Sequence, residues 1–232
     1  MTVLYLGPYF LGDPLFLGGF ARDLAARPPG APLVVVHGSG EAGERAVEAT
    51  GTEAVADGGV WQVPTDAARV AVERATRELN RGIVHELNES NVAAVRVVGV
   101  DRGLLRADGG TVTVGKTGWL ATLAQQGAVP VVGTLARLGD SVIEVDAAAS
   151  AAGIARAVGA DAVTALLKGR APTVVDADGP VAELAAEALD GVRGIPDVDA
   201  LRRMLGAGVS VRLTTLATVR AGDSATGTRV AA

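Results

Sequence analysis

Leu33-Val34-Val35-Val36-His37-Gly38-Ser39-Gly40-Glu41-Ala42-Gly43-Glu44 carries the signals that decide the fold. Leu33–Val36 is an unbroken apolar, β-branched run, as expected of a strand buried on both faces of a parallel sheet. Gly38-Ser39-Gly40 breaks that strand, and Glu41–Ala49 then has helical composition. A strand that turns through glycines into a helix brings backbone N–H groups to the positive end of the helix dipole, where an anion is favoured.

The same alternation extends outward on both sides. Val3–Leu6 reads as a short strand, and Leu15–Ala26 as a helix stopped by Pro28-Pro29. Thr65–Leu87 is the longest helical stretch, with Asp66 placed to favour its N-terminal end. Val92–Val98 is a strand, and Leu104–Ala107 with Thr111–Val114 forms a hairpin about Asp108-Gly109-Gly110. Trp119–Gln125 is a helix and Val129–Val132 a strand. Beyond them the pattern predicts a strand at Val142–Val145, a helix at Ala147–Ala157, and strands at Ala162–Leu167 and Thr173–Val175. Helices at Val181–Leu189 and Val198–Leu205 and strands at Val209–Leu213 and Gly227–Val230 complete the chain. The result is an α/β fold with a mainly parallel sheet covered on both faces. Residues 1–135 and 136–232 are expected as two lobes, parted near Gly133–Gly139 without a flexible linker.

Composition limits what such a fold can do. The 232 residues are 49% apolar and 20% charged, which excludes a disordered polymer. The absence of cysteine excludes a disulfide scaffold, a thiolate zinc site and a cysteine nucleophile, and two histidines cannot build a multi-histidine metal centre. A net charge of −5 argues against nucleic acid as a partner. No apolar run reaches the roughly 18 residues needed to span a bilayer. Met1–Gly12 has no basic region and reads as a strand rather than an export signal, so a cytoplasmic location is expected.

Two phosphate-type motifs compete for the chemistry. Gly38-Ser39-Gly40-Glu41-Ala42-Gly43 matches G-x-G-x-x-G, which would suit a Rossmann-type nicotinamide-binding protein using Gly38, Gly40 and Gly43. Such a site also needs an acid about 20 residues on, at a strand end. Asp57 has the spacing, but Ala54–Gly59 does not read as a buried strand. Gly110–Thr117 matches G-x-x-x-x-G-K-[ST], yet its Thr-Val-Thr-Val centre alternates as a strand should. A hairpin strand leading into a helix is the expected structure there. His37 reads as a structural histidine and His85 as a solvated one. Glu144 and Asp146, two apart, are expected as exposed strand-end carboxylates rather than as a metal site. Trp61 and Trp119 fit a cleft and a core equally well.

A third reading takes the elements in order. Val34–Gly40 (VVVHGSG), Asn80-Arg81 within the long helix, Val129–Gly133 (VPVVG), Val145–Asp161 and the closing Gly227-Thr228-Arg229 together resemble the amino acid kinase superfamily. Within it the chain is most similar to the acetylglutamate kinase group, including relatives that act on carrier-bound aminoadipate. The resemblance implies a three-layer α/β/α sandwich. Residues 1–135 would bind an acylated amino acid and form a homodimer, and residues 136–232 would bind ATP with Mg2+. It also implies phosphoryl transfer to a carboxylate, and partners that include a second kinase or an amino-group carrier protein. The start at the first strand suggests that the chain lacks the extra N-terminal helix of arginine-inhibited hexameric members, and with it arginine feedback.

By the same resemblance Gly38, Ser39 and Gly40 form the loop that faces the transferring group, and Trp61 stands where a substrate-binding arginine is usual. The family's Lys-x-Gly-Gly reads Tyr5-Leu6-Gly7-Pro8 here. Its Asn-x-Asn-Ala-Asp reads Glu144-Val145-Asp146-Ala147-Ala148, a second lysine falls near Pro196, and a Ser-Asp pair becomes Lys168-Gly169. Phosphoryl transfer rests on positioning and on neutralising charge. The residues therefore suggest a ligand-binding relative that has lost the usual catalytic set. The alternative is an active kinase that draws its cations from Lys168, Arg170 or Lys116.

Overall fold

A computed structural model describes every residue except Pro14, Gly109, Gly110, Ser224 and Ala232. Eight strands form the central sheet, in the spatial order Glu183–Leu184, Thr228–Val230, Val211–Thr214, Val163–Leu166, Thr2–Leu6, Leu33–His37, Val129–Gly133 and Ala94–Val98. All neighbouring pairs are parallel except Val211–Thr214 with Thr228–Val230. The apolar run of the second strand is central, and all five of its residues are buried.

Period-two alternation gives this sheet two apolar faces. Leu4, Leu6, Val35 and Val131 pack with Phe20 and Leu24 of the Phe16–Ala25 helix and with Ile83 and Leu87 of the long Asp66–Glu89 helix. Val3, Tyr5, Val34 and Val36 face the other way, against Ala148, Ala151 and Ala152 of the Ala147–Ala157 helix. Those alanines let the helix lie close to the sheet. A smaller sheet, ordered Ser141–Glu144, Leu135–Leu138, Leu105–Asp108, Thr111–Val114, flanks the main one. The three layers expected from the sequence are present.

Most boundaries agree with the sequence reading to within a residue or two, and the hairpin forms, although its Gly109-Gly110 turn lies outside the described residues. Leu135–Leu138 is a strand and Ala56–Asp57 pairs with Val60–Trp61 where no element was expected, and two expected segments differ. The N-terminal strand stops at Leu6, and Pro8–Leu11 is a helical turn. Pro8 has no N–H for a sheet ladder and a φ suited to the first turn of a helix. Val181–Leu189 is not a helix despite its alanine, leucine and glutamate content. Gly179–Val181 pairs with Val174–Asp176, Glu183–Leu184 adds to the edge strand Thr228–Val230, and Ala186–Gly191 is a 3-10 turn. The edge strand offers unpaired backbone groups, and satisfying them overrides local helix propensity. Thr228 fixes the arrangement, since its hydroxyl accepts from the Val174 N–H at 2.8 Å and donates to the Val181 carbonyl at 2.6 Å.

Candidate active-site cleft

The first and second strands run in register, Thr2 against Leu33 through Leu6 against His37, so their C-terminal ends open at one edge. In open α/β sheets ligands bind in crevices outside such ends. Here a cleft of about 250 Å³ is lined by Tyr5, Gly38, Ser39, Gly40, Trp61, Asp146, Asp197 and Arg203 among others. A larger cavity of about 680 Å³ lies beside it under the small sheet and shares Asp146 and Arg203 with it.

The glycine turn is tightly held. Gly40 adopts φ +52°, a left-handed conformation that favours glycine, directly before the Glu41–Glu48 helix. The Trp61 indole N–H donates to the Gly40 carbonyl at 3.1 Å. A Cβ on Gly43 would lie 2.0 Å from Ser39 Oγ and 2.6 Å from Trp61 Cδ1, so only glycine fits there. Trp61 thus belongs to the cleft, whereas Trp119 packs against the core.

Behind the turn, two buried polar groups differ in function. His37 is fully buried, its Nδ1–H donates to the Gly38 carbonyl at 2.8 Å, and its Nε2 accepts from Asn80 Nδ2 at 2.9 Å. Desolvation lowers its pKa to about 4, so it is a neutral structural histidine. Glu144 is the opposite of the exposed carboxylate expected from the sequence. It is buried, and its oxygens accept from the Ser39 N–H at 2.5 Å and the Ser39 hydroxyl at 2.9 Å. Burial raises its pKa to about 7, against the lowering pull of the hydrogen bonds from Ser39 and Thr76. Asp146 does not share its face. The strand ends at Glu144, and Asp146 turns away to cap the Ala147–Ala157 helix through the Ala148 and Ala149 N–H groups. Among the described residues no cluster of three or more His, Cys, Asp or Glu side chains could hold a metal ion.

Polar pairs line the cleft. The buried Tyr5 hydroxyl donates to Asp197 Oδ2 at 3.1 Å, and burial followed by the Asp197 charge raises the phenol well above its usual pKa. Asp197 also caps the Val198–Gly206 helix through the Ala200 N–H. Arg203, from that same helix, places Nε 3.0 Å from Asp146 Oδ2. It is the only cation among the described residues lining the cleft.

The other sequence candidates lie elsewhere. Lys168 is exposed with Nζ 3.8 Å from the centre of the Tyr9 ring, and Gly169 and Arg170 are exposed beside it. Lys116 is exposed after the edge strand Thr111–Val114 and does not line the cleft. His85 is exposed. Asp57 sits on an exposed two-residue strand paired with Val60, not at the end of a core strand, and gives a nicotinamide site no support. Gly110 of the P-loop-like match lies outside the described residues, while Thr111–Val114 is the strand expected.

The sequence reading missed Arg203 and Asp197. Asp197 was visible as a helix N-cap after Pro196. Arg203 was not, because nothing local separates it from the solvated Arg202. No helix among the described residues is long and apolar enough to cross a membrane.

Known proteins share this architecture. Residues 11–194 match the amino acid kinase family. The chain is 34% identical over 206 residues to acetylglutamate kinase from Deinococcus radiodurans, covering 81% of each. It is 29% identical over 217 residues to the enzyme of that name from Streptomyces coelicolor, covering 85% of this chain and 70% of the relative. Among solved structures, an isopentenyl phosphate kinase superposes with a TM-score of 0.69 at 17% identity, covering 99% of both chains. The N-acetylglutamate synthase from Neisseria gonorrhoeae, complexed with coenzyme A and N-acetyl-glutamate, superposes at 0.70 and 18% identity over all of this chain and 59% of that one. The match over residues 11–194 and the 34% identity across most of a relative place this chain in the amino acid kinase family.

Proposed function

We propose that the chain is an acetylglutamate-kinase-like protein that binds a small N-acylated amino acid in the cleft and has lost efficient phosphoryl transfer. The observation that carries this reading is the Tyr5–Asp197 pair. The first strand of the related kinases carries a lysine by resemblance, but this one carries a phenol hydrogen-bonded to a carboxylate. A terminal phosphate would meet Asp197 and Asp146, with the one lining cation, Arg203, already paired to Asp146. Asp197 is already engaged by Tyr5 and the Ala200 N–H, and Asp146 by Arg203 and two helix N–H groups, so this set does not fit a magnesium-bound triphosphate.

What the chain's own residues supply is recognition. Gly38–Gly40 and Trp61 shape one wall, Arg203, bound to Asp146 through Nε, presents its terminal N–H groups to a single ligand carboxylate, and Ala148 leaves no carboxylate to orient a lysine. Loss of a single preorganised donor costs about 10²–10³ in rate. In this reading residues 1–135 form the ligand-binding and dimerising lobe, residues 136–232 the nucleotide-type lobe, and the protein works in the cytoplasm as a homodimer or beside an active kinase. An active enzyme with a different cation set is the second reading. Arg203 in the cleft favours it more than Lys168, Arg170 or Lys116 do.

Thermal unfolding with N-acetylglutamate, ATP–Mg2+, arginine and NAD tests the proposal. N-acetylglutamate at about a hundred times its Kd should raise Tm by roughly 5–10 °C. ATP–Mg2+ should produce no N-acetylglutamate-dependent ADP. Turnover at about 1 s⁻¹ or faster would establish the second reading. A shift with NAD alone would replace both.

A further inference from the structure

Ser39 and its carboxylate partner touch different spaces. Ser39 lines the cleft, while the carboxylate that binds it, Glu144, lines the larger cavity on the other side. Glu144 is therefore a wall between them, and it engages both hydrogen-bond donors of Ser39, the backbone N–H and the hydroxyl. Its Oε1 also lies 3.2 Å from where a Cβ of Gly38 would stand, so the carboxylate fills the inner side of the turn. We propose that Glu144 determines what the cleft admits: a ligand's carboxylate or phosphoryl oxygen reaches the Ser39 donors only when Glu144 is protonated or displaced.

The surroundings make this a proton-controlled choice. Glu144 contacts Ser39 from the turn and Thr76 from the long helix. Arg69 and Glu73 of that helix lie near the same strand, with Arg69 Nη1 donating to the Val142 carbonyl at 3.1 Å. The titratable groups that share the larger cavity with Glu144 are Asp57, Asp146, Arg156 and Arg203. Arg203 is held by Asp146, and Arg156 donates to the Ala207 carbonyl, so neither is paired to Glu144. Without a partner cation, burial favours the neutral acid, and Glu144 takes up its proton near pH 7. An ionised Glu144 repels an incoming anion and holds the Ser39 donors to itself. A neutral Glu144 accepts more weakly, so an anion can compete for the Ser39 donors, and its own O–H can donate. The identity of the ligand rests on the acylamino-acid reading, but the geometry of the turn does not.

Calorimetric titration with N-acetylglutamate from pH 6 to pH 8 tests this, with sulfate as a second probe whose charge does not change over that range. Wild-type affinity should fall about tenfold across the interval, the behaviour of one group titrating near pH 7. In Glu144→Gln, which keeps the side-chain shape, the profile should be flat and the pH 8 affinity should exceed wild type about tenfold. Ser39→Ala removes one hydrogen bond to the carboxylate and should move the wild-type midpoint upward, which tests the inference if the first variant folds poorly. If N-acetylglutamate fails to bind but sulfate shows the same Glu144-dependent profile, the inference stands and the ligand class is wrong. A flat wild-type profile, a Glu144→Gln variant that binds more weakly at every pH, or no binding of either probe would overturn it.

Discussion

The first and second strands lie side by side and in register, yet they end in turns of opposite character. The second ends in Gly38-Ser39-Gly40, with Ser39 donors held by Glu144 and geometry locked by Trp61 and Gly43. The first ends in Gly7-Pro8, where proline has no N–H to offer and the adjacent side chain is Tyr5, bound to Asp197. One rim of the cleft keeps an anion-binding form, while the other has become an apolar, acid-facing wall. A shared fold therefore preserves the place of chemistry without preserving its charges.

The largest effect that separates the two turns is steric. Gly43→Ala should cost about 3 kcal/mol in urea unfolding, because Ser39 Oγ and the Trp61 ring both occupy the space of the new methyl. Gly7→Ala at the first turn should cost about 1 kcal/mol or less, since its φ is −75° and the nearest atom is Tyr5 Cε1 at 3.2 Å. Equal costs would contradict the difference in rigidity.

Acid titration separates the two buried groups behind the second turn. His37 has a folded pKa near 4 against 6.5, so the unfolded chain binds its proton first and stability falls as pH drops from 6.5 towards 4. Glu144 has a folded pKa near 7 against 4.5, so the native state holds the proton longer and stability falls as pH rises from 4.5 to 7. Each contributes about 3 kcal/mol over its window, and between pH 4.5 and 6.5 they oppose each other. Wild type should be nearly flat there. Glu144→Gln should lose about 3 kcal/mol between pH 7 and pH 4, as measured by urea midpoints; a flat profile in the variant would refute the His37 assignment.

At the first turn the corresponding test is smaller. Tyr5→Phe removes the hydrogen bond to Asp197 and should cost about 1–2 kcal/mol at neutral pH, since Asp197 keeps its cap on the following helix. Smaller still is Lys116→Ala, which should leave stability within about 0.5 kcal/mol and ligand affinity unchanged, because the exposed side chain lies outside the cleft.

The layered fold was legible from Leu33–Gly40 and the alternation around it because buried parallel strands announce themselves locally. The cleft was legible only in part. Gly38–Gly40 and Trp61 could be placed, since a glycine turn after a strand has a fixed position in the architecture. Glu144 could not, because its partner Ser39 is 105 residues away and strand periodicity says nothing about the bend that follows. Arg203 reaches the cleft only because Asp197 starts its helix in the right place. Val181–Leu189 failed for the converse reason: a strong local preference yielded to an edge strand that needed partners.

Missing positive charge at the transfer point is tested by a single-turnover reaction. Excess protein is mixed with radiolabelled ATP, Mg2+ and saturating N-acetylglutamate, and labelled acyl phosphate and ADP are followed over minutes. Neither product should form above the rate of ATP hydrolysis without protein. Conversion of the label within seconds, abolished by Arg203→Ala, would show that one guanidinium suffices and would contradict the loss of transfer.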